Sequence, residues 1–364
     1  MRRISFKSHK QKGDYSIGII AIVLSFVGIL MVYEASSSQA FRDFGDKFYF
    51  LKEQLKSLLI GLFGMGIAMK FDYRKLYNLA VPLLLFTLLL LLLVFVPPFG
   101  IAAYGAHRWV NIGFTTLQPS EFAKLATTIY LASWFTYKEK NRLLAFILLL
   151  SIVVGLILLE PDMGTAIIMG LTGVALYFFS GASITHFLLM APVGLICGIF
   201  LAKAAPYRFQ RILTFFDSSK DPLGASYHVR QVLIALGSGG LFGLGLGKSR
   251  QKYEYLPEAT TDSIFAIIAE EVGFVGSLIL IFVFASLIFK GYKIALNSKD
   301  RFGMLLASGI TSFLAFQTVI NLGAMTAILP IVGVPLPFIS YGGSSLVISL
   351  TSIGILINIA NQNG

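Results

Sequence analysis

The sequence has little charge and almost no cysteine. Acidic and basic residues make up 13% of its 364 residues, and Cys197 is its single cysteine. One cysteine excludes a disulfide within the chain and a cysteine-rich metal site, and the four scattered histidines argue against a zinc site. Apolar residues are plentiful instead, at 56% of the chain, and the mean hydropathy is +0.79. These values exclude an ordinary soluble domain and indicate a polytopic membrane protein.

Apolar stretches long enough to cross a membrane follow one another along the chain. About 20 apolar residues in a helix span the hydrocarbon of a bilayer. We therefore predict an all-α integral membrane protein, a bundle of about ten transmembrane helices in a single polytopic domain covering residues 1–364. No small-residue cleavage site follows the first stretch, so we expect that stretch to stay in the protein. The ten predicted spans are 16–34, 54–69, 77–96, 117–135, 143–159, 164–180, 183–203, 264–289, 302–328 and 336–360.

The longest break between predicted spans, residues 204–263, separates span seven from span eight and is predicted to be one long extracytoplasmic loop. A connection of this length is usually functional in a compact protein. Its segment 226–236 has the apolar spacing of a helix that lies on the membrane surface. Six glycines among residues 237–247 predict a tight or re-entrant backbone path. The sequence FGLGLGKS at 242–249 is not a phosphate-binding P-loop, because Phe242 occupies the place of the first glycine.

The net charge of +11 predicts the orientation of the chain in the membrane. The N-terminal tail and the loops near 70–76, 136–142 and 290–301 together hold 15 of the 29 basic residues and four of the 18 acidic residues. The basic and acidic residues elsewhere balance each other. Because positively charged loops stay in the cytoplasm, we predict that both termini are cytoplasmic. The excess charge therefore does not indicate a nucleic-acid partner.

Polar side chains inside apolar spans are costly in hydrocarbon and are often functional. Glu121 and Lys124 lie three residues apart, on one face of the predicted fourth helix. They predict either a structural ion pair or the floor of a polar cavity. Glu160 and Asp162 flank a proline between spans five and six, where a carboxylate either caps the next helix or takes part in a site.

The clearest concentration of carboxylates is LPEATTDSIFAIIAEEVG, residues 256–273. Asp262 stands directly before span eight at the outer membrane boundary, where it is either the N-cap of that helix or a catalytic group. Glu258 precedes it by one turn. Glu270 and Glu271 lie within the span, and for both we expect structural polar contacts. The preceding loop supplies six cations: Arg208, Arg211, Arg230, Lys248, Arg250 and Lys252.

A carboxylate beside several cations at a lipid interface suits chemistry on a lipid-linked pyrophosphate. The carboxylate takes a proton from an attacking hydroxyl, and the cations stabilise the leaving group. The residues of this loop are therefore the first candidates for a catalytic site.

Seven stretches of the chain form a specific combination when they are read in order. They are MVYEASSSQA, FYFLKEQL, GAHRWVNIGFTTLQPSEFAKL, EPDMGTA, RFQRILTFFD, GSGGLFGLGLGKSRQKYEYLPEATTDSIFAIIAEEVGFVG and LPIVGVPLPFISYGGSS. With them the chain resembles, over nearly its whole length, the SEDS family (shape, elongation, division and sporulation) of membrane glycosyltransferases represented by RodA and FtsW.

The resemblance implies a ten-span bundle that polymerises lipid II into glycan strands on the outer face of the bacterial cytoplasmic membrane. It implies that Asp262 activates the acceptor 4-hydroxyl, which displaces undecaprenyl pyrophosphate with inversion at the anomeric carbon. Matching motif positions and the loop cations together give the predicted substrate-binding residues: Arg108, Trp109, Glu121, Lys124, Asp162, Arg208, Arg211, Lys248, Lys252 and Glu258.

The chain departs from the family pattern at three positions. Thr260 stands two residues before Asp262 where the family usually has a histidine, so any role of that imidazole is absent here. Ser263 replaces the usual phenylalanine. Glu53 stands where the family commonly has arginine, which weakens an anion-binding role at that spot.

The resemblance also implies a partner, a single-pass class B penicillin-binding transpeptidase. The stretches ASSSQA and FYFLK favour the division branch over the elongation branch. No dedicated metal motif is visible, and the sequence leaves open whether a divalent cation such as Mg²⁺ helps to neutralise the pyrophosphate.

Two other functions compete with polymerisation. A transporter or flippase of the lipid-linked precursor could use Glu121, Lys124 and Asp162 to line a passage, and a non-catalytic scaffold would need none of these residues. A flippase needs polar groups across the whole bilayer, whereas those of this chain cluster toward the outward ends of the spans. A scaffold would not need Asp262 and six cations in one outer loop. Polymerisation is therefore favoured.

Overall fold

A computed structural model describes residues 15–97, 99–103, 106–111, 116–137, 142–203, 225–253 and 256–363, and the single residues 113, 209, 213 and 215. Within them we number eleven helices and three strands. The helices are α1 (Ser16–Phe44), α2 (Tyr49–Lys70), α3 (Lys75–Leu93), α4 (Pro119–Phe135), α5 (Leu143–Leu159), α6 (Met163–Phe179), α7 (Ile184–Lys203), α8 (Ala225–Gly239), α9 (Ile264–Leu296), α10 (Arg301–Met325) and α11 (Gly343–Asn363). The strands are β1 (Gly100–Ala103), β2 (Ala106–Asn111) and β3 (Thr116–Leu117).

The helical membrane architecture is confirmed. Each predicted span overlaps one of the helices α1 to α7 or α9 to α11, in the predicted order. Five of them, α1, α3, α9, α10 and α11, are long and apolar enough to cross a membrane by length and composition. The helices α5 and α6 and part of α7 are apolar but shorter. The chain is therefore a multi-pass membrane protein, while the number of ten crossings stays a prediction.

The predicted surface segment 226–236 forms a helix, α8. One side of α8 is buried in the protein at Val232 and Ala235, whereas Arg230, Leu233 and Ile234 are exposed. This two-sided pattern is the one expected of a helix that packs on a protein surface with its other face toward solvent or headgroups.

The structure differs from the sequence prediction at two places. A small antiparallel sheet with strand order β1-β2-β3 lies between α3 and α4, where no strand was predicted. The last helix begins at Gly343 and not at residue 336, because the preceding segment cannot be helical. Gly333 and Phe338 have positive φ there, and prolines stand at 335 and 337. Residues 326–342 are consequently an irregular segment that packs against the bundle.

Buried helices and small residues build the centre of the bundle. Along α10 and α11 most side chains are buried, whereas α3, α5 and α7 turn many leucines and other aliphatic side chains outward. Exposed apolar side chains on outer helices are the surface that lipid covers. A β-carbon on Gly354 of α11 would lie 2.5 Å from the carbonyl oxygen of Met65 on α2. Glycine at this position therefore allows the two helix backbones to approach closely.

Helix α9 is interrupted at Gly273, where φ is +72° and ψ is −171°. The interruption frees backbone groups on both of its sides, and the glycine-rich loop after α8 pairs with them. The amides of Leu244 and Gly245 donate to the carbonyls of Glu270 and Glu271, both at 3.0 Å. On the other side, the amides of residues 274 and 275 donate to the carbonyls of residues 240 and 241 at 2.9 and 3.1 Å. The loop thus satisfies the groups that the helix leaves unpaired.

The tight path predicted for residues 237–247 is confirmed from residue 240 onward, whereas residues 237–239 form the end of α8. Four of its six glycines, at 240, 243, 245 and 247, have positive φ. Gly273, which the loop contacts, lies nine residues beyond the start of α9, and at 1.5 Å per residue this is about 14 Å along the helix. The loop therefore packs beside α9 well beyond the start of that helix, while a re-entrant path into the membrane stays a prediction.

Candidate active site

Asp262 lies at the end of a tight turn that leads into α9. The carbonyl of Glu258 accepts hydrogen bonds from the amides of Thr261, at 3.2 Å, and Ser263, at 3.1 Å, and Asp262 itself is half-buried. The N-cap of α9 is Ser263 and not Asp262. Helix capping therefore does not account for an aspartate at this position.

Three elements hold the segment around Asp262 in place. The side-chain amide of Asn321 on α10 donates to the carbonyl of Asp262 at 2.8 Å. The amide of Tyr341, in the irregular segment, donates to the carbonyl of Thr260 at 2.9 Å. From α8, Nε2 of His228 lies 2.6 Å from Oγ of Ser263. Elements that are distant in sequence thus fix both the backbone of Asp262 and its neighbours.

The second hydrogen bond of the Ser263 hydroxyl indicates which atom is the donor in its hydrogen bond with His228. Its single proton goes to the carbonyl of Pro257, at 3.0 Å, so the Ser263 oxygen accepts from the imidazole Nε2–H. The family's usual histidine at position 260 is absent from this chain, but an imidazole from α8 nevertheless contacts the residue that follows Asp262.

A small recess lies beside Asp262. It is lined by Asp262, Ile320, Asn321, Ala324, Met325, Ile331, Val332, Gly333 and Val334. Two side chains of this set are polar and none is basic. The recess lies where the turn before α9, the C-terminal end of α10 and the irregular segment meet.

Glu258 is exposed one turn before Asp262. Its carboxylate accepts a hydrogen bond from Oγ1 of Thr261 at 2.8 Å, and its φ is +50°, a conformation that non-glycine residues rarely adopt. An exposed carboxylate in a constrained turn is available to a ligand at this surface.

The predicted loop cations have different environments. Arg230, on α8, and Lys248 and Arg250, in the loop after α8, are exposed. Lys252 is buried. Its ammonium donates to Glu34 Oε2 at 3.0 Å and to the carbonyl of Gly247 at 2.7 Å. Arg208 and Arg211 lie outside the described residues.

Glu270 and Glu271 anchor the loop that carries these cations. The Glu270 carboxylate accepts from the hydroxyl of Ser249 and from the amides of Arg250, at 3.2 Å, and Gln251, at 3.3 Å. The Glu271 carboxylate accepts from the amide of Ser249 at 3.2 Å. The expectation of structural polar contacts for both glutamates is confirmed.

Glu121 and Lys124 form a buried ion pair on α4. The two side chains are almost inaccessible, and Nζ of Lys124 lies 2.9 Å from Oε2 of Glu121. The same ammonium donates to Oε1 of Gln317 on α10 at 2.6 Å. Nε2 of Gln317 in turn donates to the carbonyl of Pro335 in the irregular segment. The neighbouring carbonyl, that of Val334, accepts a hydrogen bond from Asn321. The ion pair is thus connected to the irregular segment that lines the recess.

Arg108, Trp109 and Asp162 lie near the junctions of α4, α5 and α6. Arg108, on β2, donates to the carbonyls of Glu160 and Pro161, while Trp109 pairs with Ile101 of β1.

Asp162 is the N-cap of α6: its Oδ1 accepts from the amide of Thr165 at 3.0 Å. Its Oδ2 also accepts from Gln118 and Ser120 at the start of α4, at 3.2 and 3.3 Å. The capping interpretation of Asp162 is therefore confirmed, and the residue also connects two helices.

Glu160 is fully buried in the short link between α5 and α6. Burial and, to a smaller extent, the negative charge of Asp162 raise the pKa of Glu160 to about 9, against the opposing effect of Arg108. Neither carboxyl oxygen of Glu160 has a hydrogen-bond partner among the described residues. Burial therefore favours the protonated, uncharged form of this side chain.

Comparison with known proteins identifies the family. The sequence pattern of the FtsW, RodA and SpoVE family, described as cell cycle protein, matches residues 15–364. The chain belongs to this family. It is 40% identical over 360 residues to stage V sporulation protein E of Bacillus subtilis (strain 168), covering 97% of this chain and 98% of that protein. It is 41% identical over 358 residues to a probable peptidoglycan glycosyltransferase FtsW of Geobacter sp. (strain M18), covering 96% and 97%.

Solved structures with the same fold agree with this family assignment. A chain from a peptidoglycan synthase complex, described as coordinating polymerization and crosslinking, superposes with a TM-score of 0.79 at 28% identity and covers 97% of this chain and 99% of its own. The rod shape determining protein RodA of Thermus thermophilus superposes with a TM-score of 0.72 at 29% identity, with 97% and 98% covered. The family recognised from the motifs is therefore confirmed.

Sequence reasoning missed Asn321, His228 and Tyr341 in this SEDS site. Asn321 and Gln317 are polar residues inside the ninth predicted span, so the same cost of polar groups in hydrocarbon that singled out Glu121 could have found them. No comparable sequence signal connects His228 or the Tyr341 amide with Asp262, because these contacts depend on how distant segments pack.

Removing one partner of the buried pair should destabilise this SEDS protein strongly. Lys124→Met leaves the Glu121 carboxylate buried without its cation, which costs about 3–5 kcal/mol. The double variant Glu121→Gln/Lys124→Met removes both charges and should recover much of that loss. Thermal unfolding in detergent measures both effects. Unchanged melting of Lys124→Met together with lost activity would instead place the pair in the substrate site.

Proposed function

We propose that this chain is a peptidoglycan glycosyltransferase that polymerises lipid II at the outer face of the bacterial cytoplasmic membrane, with both termini in the cytoplasm. The observation that carries the proposal is the site at Asp262, a half-buried aspartate beside a recess, in a segment whose backbone and neighbouring residues are held by three elements. Relatives that carry the name peptidoglycan glycosyltransferase match the chain from end to end, which supports the same activity here.

In the proposed reaction Asp262 is the general base. It takes the proton of the acceptor 4-hydroxyl, whose oxygen forms a bond to the anomeric carbon of the donor. The bond between that carbon and the pyrophosphate oxygen breaks, and undecaprenyl pyrophosphate leaves with the electron pair. Attack from the opposite side inverts the configuration at the anomeric carbon.

The leaving group needs positive charge, which the exposed cations of the outer loop can supply. Lys248, Arg250 and Arg230 are exposed, and cations that face a developing pyrophosphate lower the barrier to its departure. Lys252 has a different role, because its buried ammonium pairs with Glu34 and lies 3.6 Å from Glu271. We therefore propose that Lys252 shapes the loop and does not bind the pyrophosphate directly.

No resident metal is part of the proposal. Among the described residues, no three His, Cys, Asp or Glu side chains are grouped as a metal site. A divalent cation such as Mg²⁺ would arrive with the pyrophosphate of the substrate.

The proposed partner is a single-pass class B penicillin-binding transpeptidase. Similarity to a chain of a synthase complex that coordinates polymerization and crosslinking supports a partner of this type. The glycan strand made by this chain would then be cross-linked by the partner. Relatives include sporulation, division and shape proteins, so the cellular process in which the pair works is proposed only as wall synthesis for division or elongation.

A gel assay with purified protein, lipid II and a cognate transpeptidase tests the function. We expect glycan ladders from the wild type and none from Asp262→Ala at equal amounts of folded protein. Ladders from both proteins would remove Asp262 from the mechanism. No ladder from the wild type, combined with movement of labelled lipid II across vesicle membranes, would identify a transporter instead.

A further inference from the structure

The side-chain amide of Asn321 connects three segments of the site. Asn321 lies four residues before the end of α10 and is 1% exposed. Its Nδ2 donates to the carbonyl of Asp262 at 2.8 Å and to the carbonyl of Val334 at 2.7 Å. Both amide hydrogens are therefore used to hold Asp262, one residue before the N-cap of α9, against the irregular segment.

The oxygen of the same amide is left without a donor. Oδ1 of Asn321 is buried and has no hydrogen-bond partner among the described residues. Buried polar atoms without a partner are uncommon and call for an explanation. In the opposite orientation, the amide would turn its oxygen toward two carbonyl oxygens. The two donor bonds therefore set the orientation of the side chain, and the backbone of Asp262 is one of the two groups that they hold.

The location of Asn321 separates it from an ordinary buried polar residue. Asn321 and Asp262 line the same recess, whose other walls are apolar. The Asn321 side chain holds the backbone of Asp262 by its carbonyl, and Asp262 lies one residue before the N-cap of α9. A shift of this peptide group moves the Cα of Asp262 and with it the carboxylate, because the side chain has only two rotatable bonds.

We propose that Asn321 is a positioning residue that fixes Asp262 for proton transfer, and this inference rests on the function proposed above. General-base catalysis requires the base within hydrogen-bond reach of the proton it removes. A displacement of about 1 Å costs about 10²-fold in rate. Without the Asn321 amide, the Asp262 carbonyl loses this hydrogen bond to α10, and the carboxylate samples positions from which it cannot take the proton.

The test compares Asn321 with a matched asparagine far from the site. Asn358 on α11 is also buried, donates from Nδ2 to the carbonyl of Met69 at 2.8 Å and accepts from the amide of Tyr73 at 3.0 Å. It joins backbone segments as Asn321 does, but without contact to the recess. The variants are Asn321→Leu, Asn321→Ala, Asn358→Leu and Asn358→Ala, and each is measured for melting temperature and for polymerisation rate per folded molecule.

We expect the Asn321 variants to lose about 10- to 100-fold in kcat with KM for lipid II changed less than about threefold. The Asn358 variants should lose melting temperature but keep kcat within about twofold. In an Asp262→Asn background, Asn321→Leu should cost little further activity, because a positioning residue acts only through the group it positions.

Three outcomes overturn the inference. The first is a kcat loss in Asn321 variants no larger than in Asn358 variants of equal melting temperature. The second is an Asn321→Leu effect that is as large in the Asp262→Asn background as in the wild type. In both cases wild-type polymer still forms, so the proposed function stands. The third is absence of polymer from the wild type with its partner, which removes the proposed function and the inference together.

Discussion

Asp262→Asn should lower the rate of lipid II polymerisation by about 10²–10⁴-fold, the usual contribution of a general base. The substitution keeps the shape of the side chain and removes its ability to take a proton. The Asp262 carbonyl, which Asn321 holds, is unchanged by the substitution. The protein should therefore insert and melt like the wild type, as measured by thermal unfolding in detergent, while glycan ladders nearly disappear.

Asp43→Asn provides the control for this substitution. Asp43 is a carboxylate near the end of α1 that forms an ion pair with its neighbour Arg42, and both side chains are largely exposed. The same chemical change there should leave both polymerisation and melting close to the wild type. If Asp262→Asn polymerises lipid II at the wild-type rate, the carboxylate is not the base.

Gly243→Ala should prevent the normal packing of the glycine-rich loop against α9. Gly243 has a φ of +80°, and a β-carbon there would lie 2.1 Å from the carbonyl oxygen of Glu271. The positive φ costs an L-residue about 1–2 kcal/mol, and forcing extra atoms into a packed site typically costs 1–3 kcal/mol more. We therefore expect a loss of about 2–5 kcal/mol in the free energy of unfolding, visible as a lower melting temperature and less monodisperse protein.

Gly240→Ala separates the two causes. Gly240 belongs to the same loop and has a φ of +52°, but a β-carbon there would meet no atom within 4 Å. The backbone cost of about 1–2 kcal/mol remains and the clash is absent, so this variant should melt between Gly243→Ala and the wild type. Equal melting of the two variants would mean that the loop does not pack into the interruption of α9 as described.

The helical bundle could be predicted because hydrocarbon imposes a local rule. Each span must satisfy its own backbone and present an apolar surface about 20 residues long, so composition within one segment is enough to find it. The beginning of α9 at Ile264 followed in the same way from the polar Thr260–Ser263 before an apolar run. The glycine-rich loop was predicted from composition alone, because repeated glycine disfavours helix and strand and permits the positive φ angles that a tight backbone path requires.

The individual contacts of the candidate site were not predictable in this way. From the sequence, Lys252 and Lys248 were both predicted to be substrate-binding cations of the loop. Only the fold brings Glu34 of α1 and Glu271 of α9 to the Lys252 ammonium. Asp162 and Asp262 both precede a helix, but only Asp162 is an N-cap. Identical local patterns thus have different roles, because the neighbours that distinguish them come from distant parts of the chain.

The sequence by itself determined the membrane class, the order of the helices, the family and the candidate carboxylate at position 262. These properties depend on local composition and on motifs that are contiguous in the chain. Only the tertiary structure decided that His228, Asn321 and Tyr341 hold the segment around Asp262, and that Glu270 and Glu271 support the loop beside it. Hydrogen bonds act over about 3 Å, and residues as far apart in sequence as 262 and 321 come within that distance only when the helices pack.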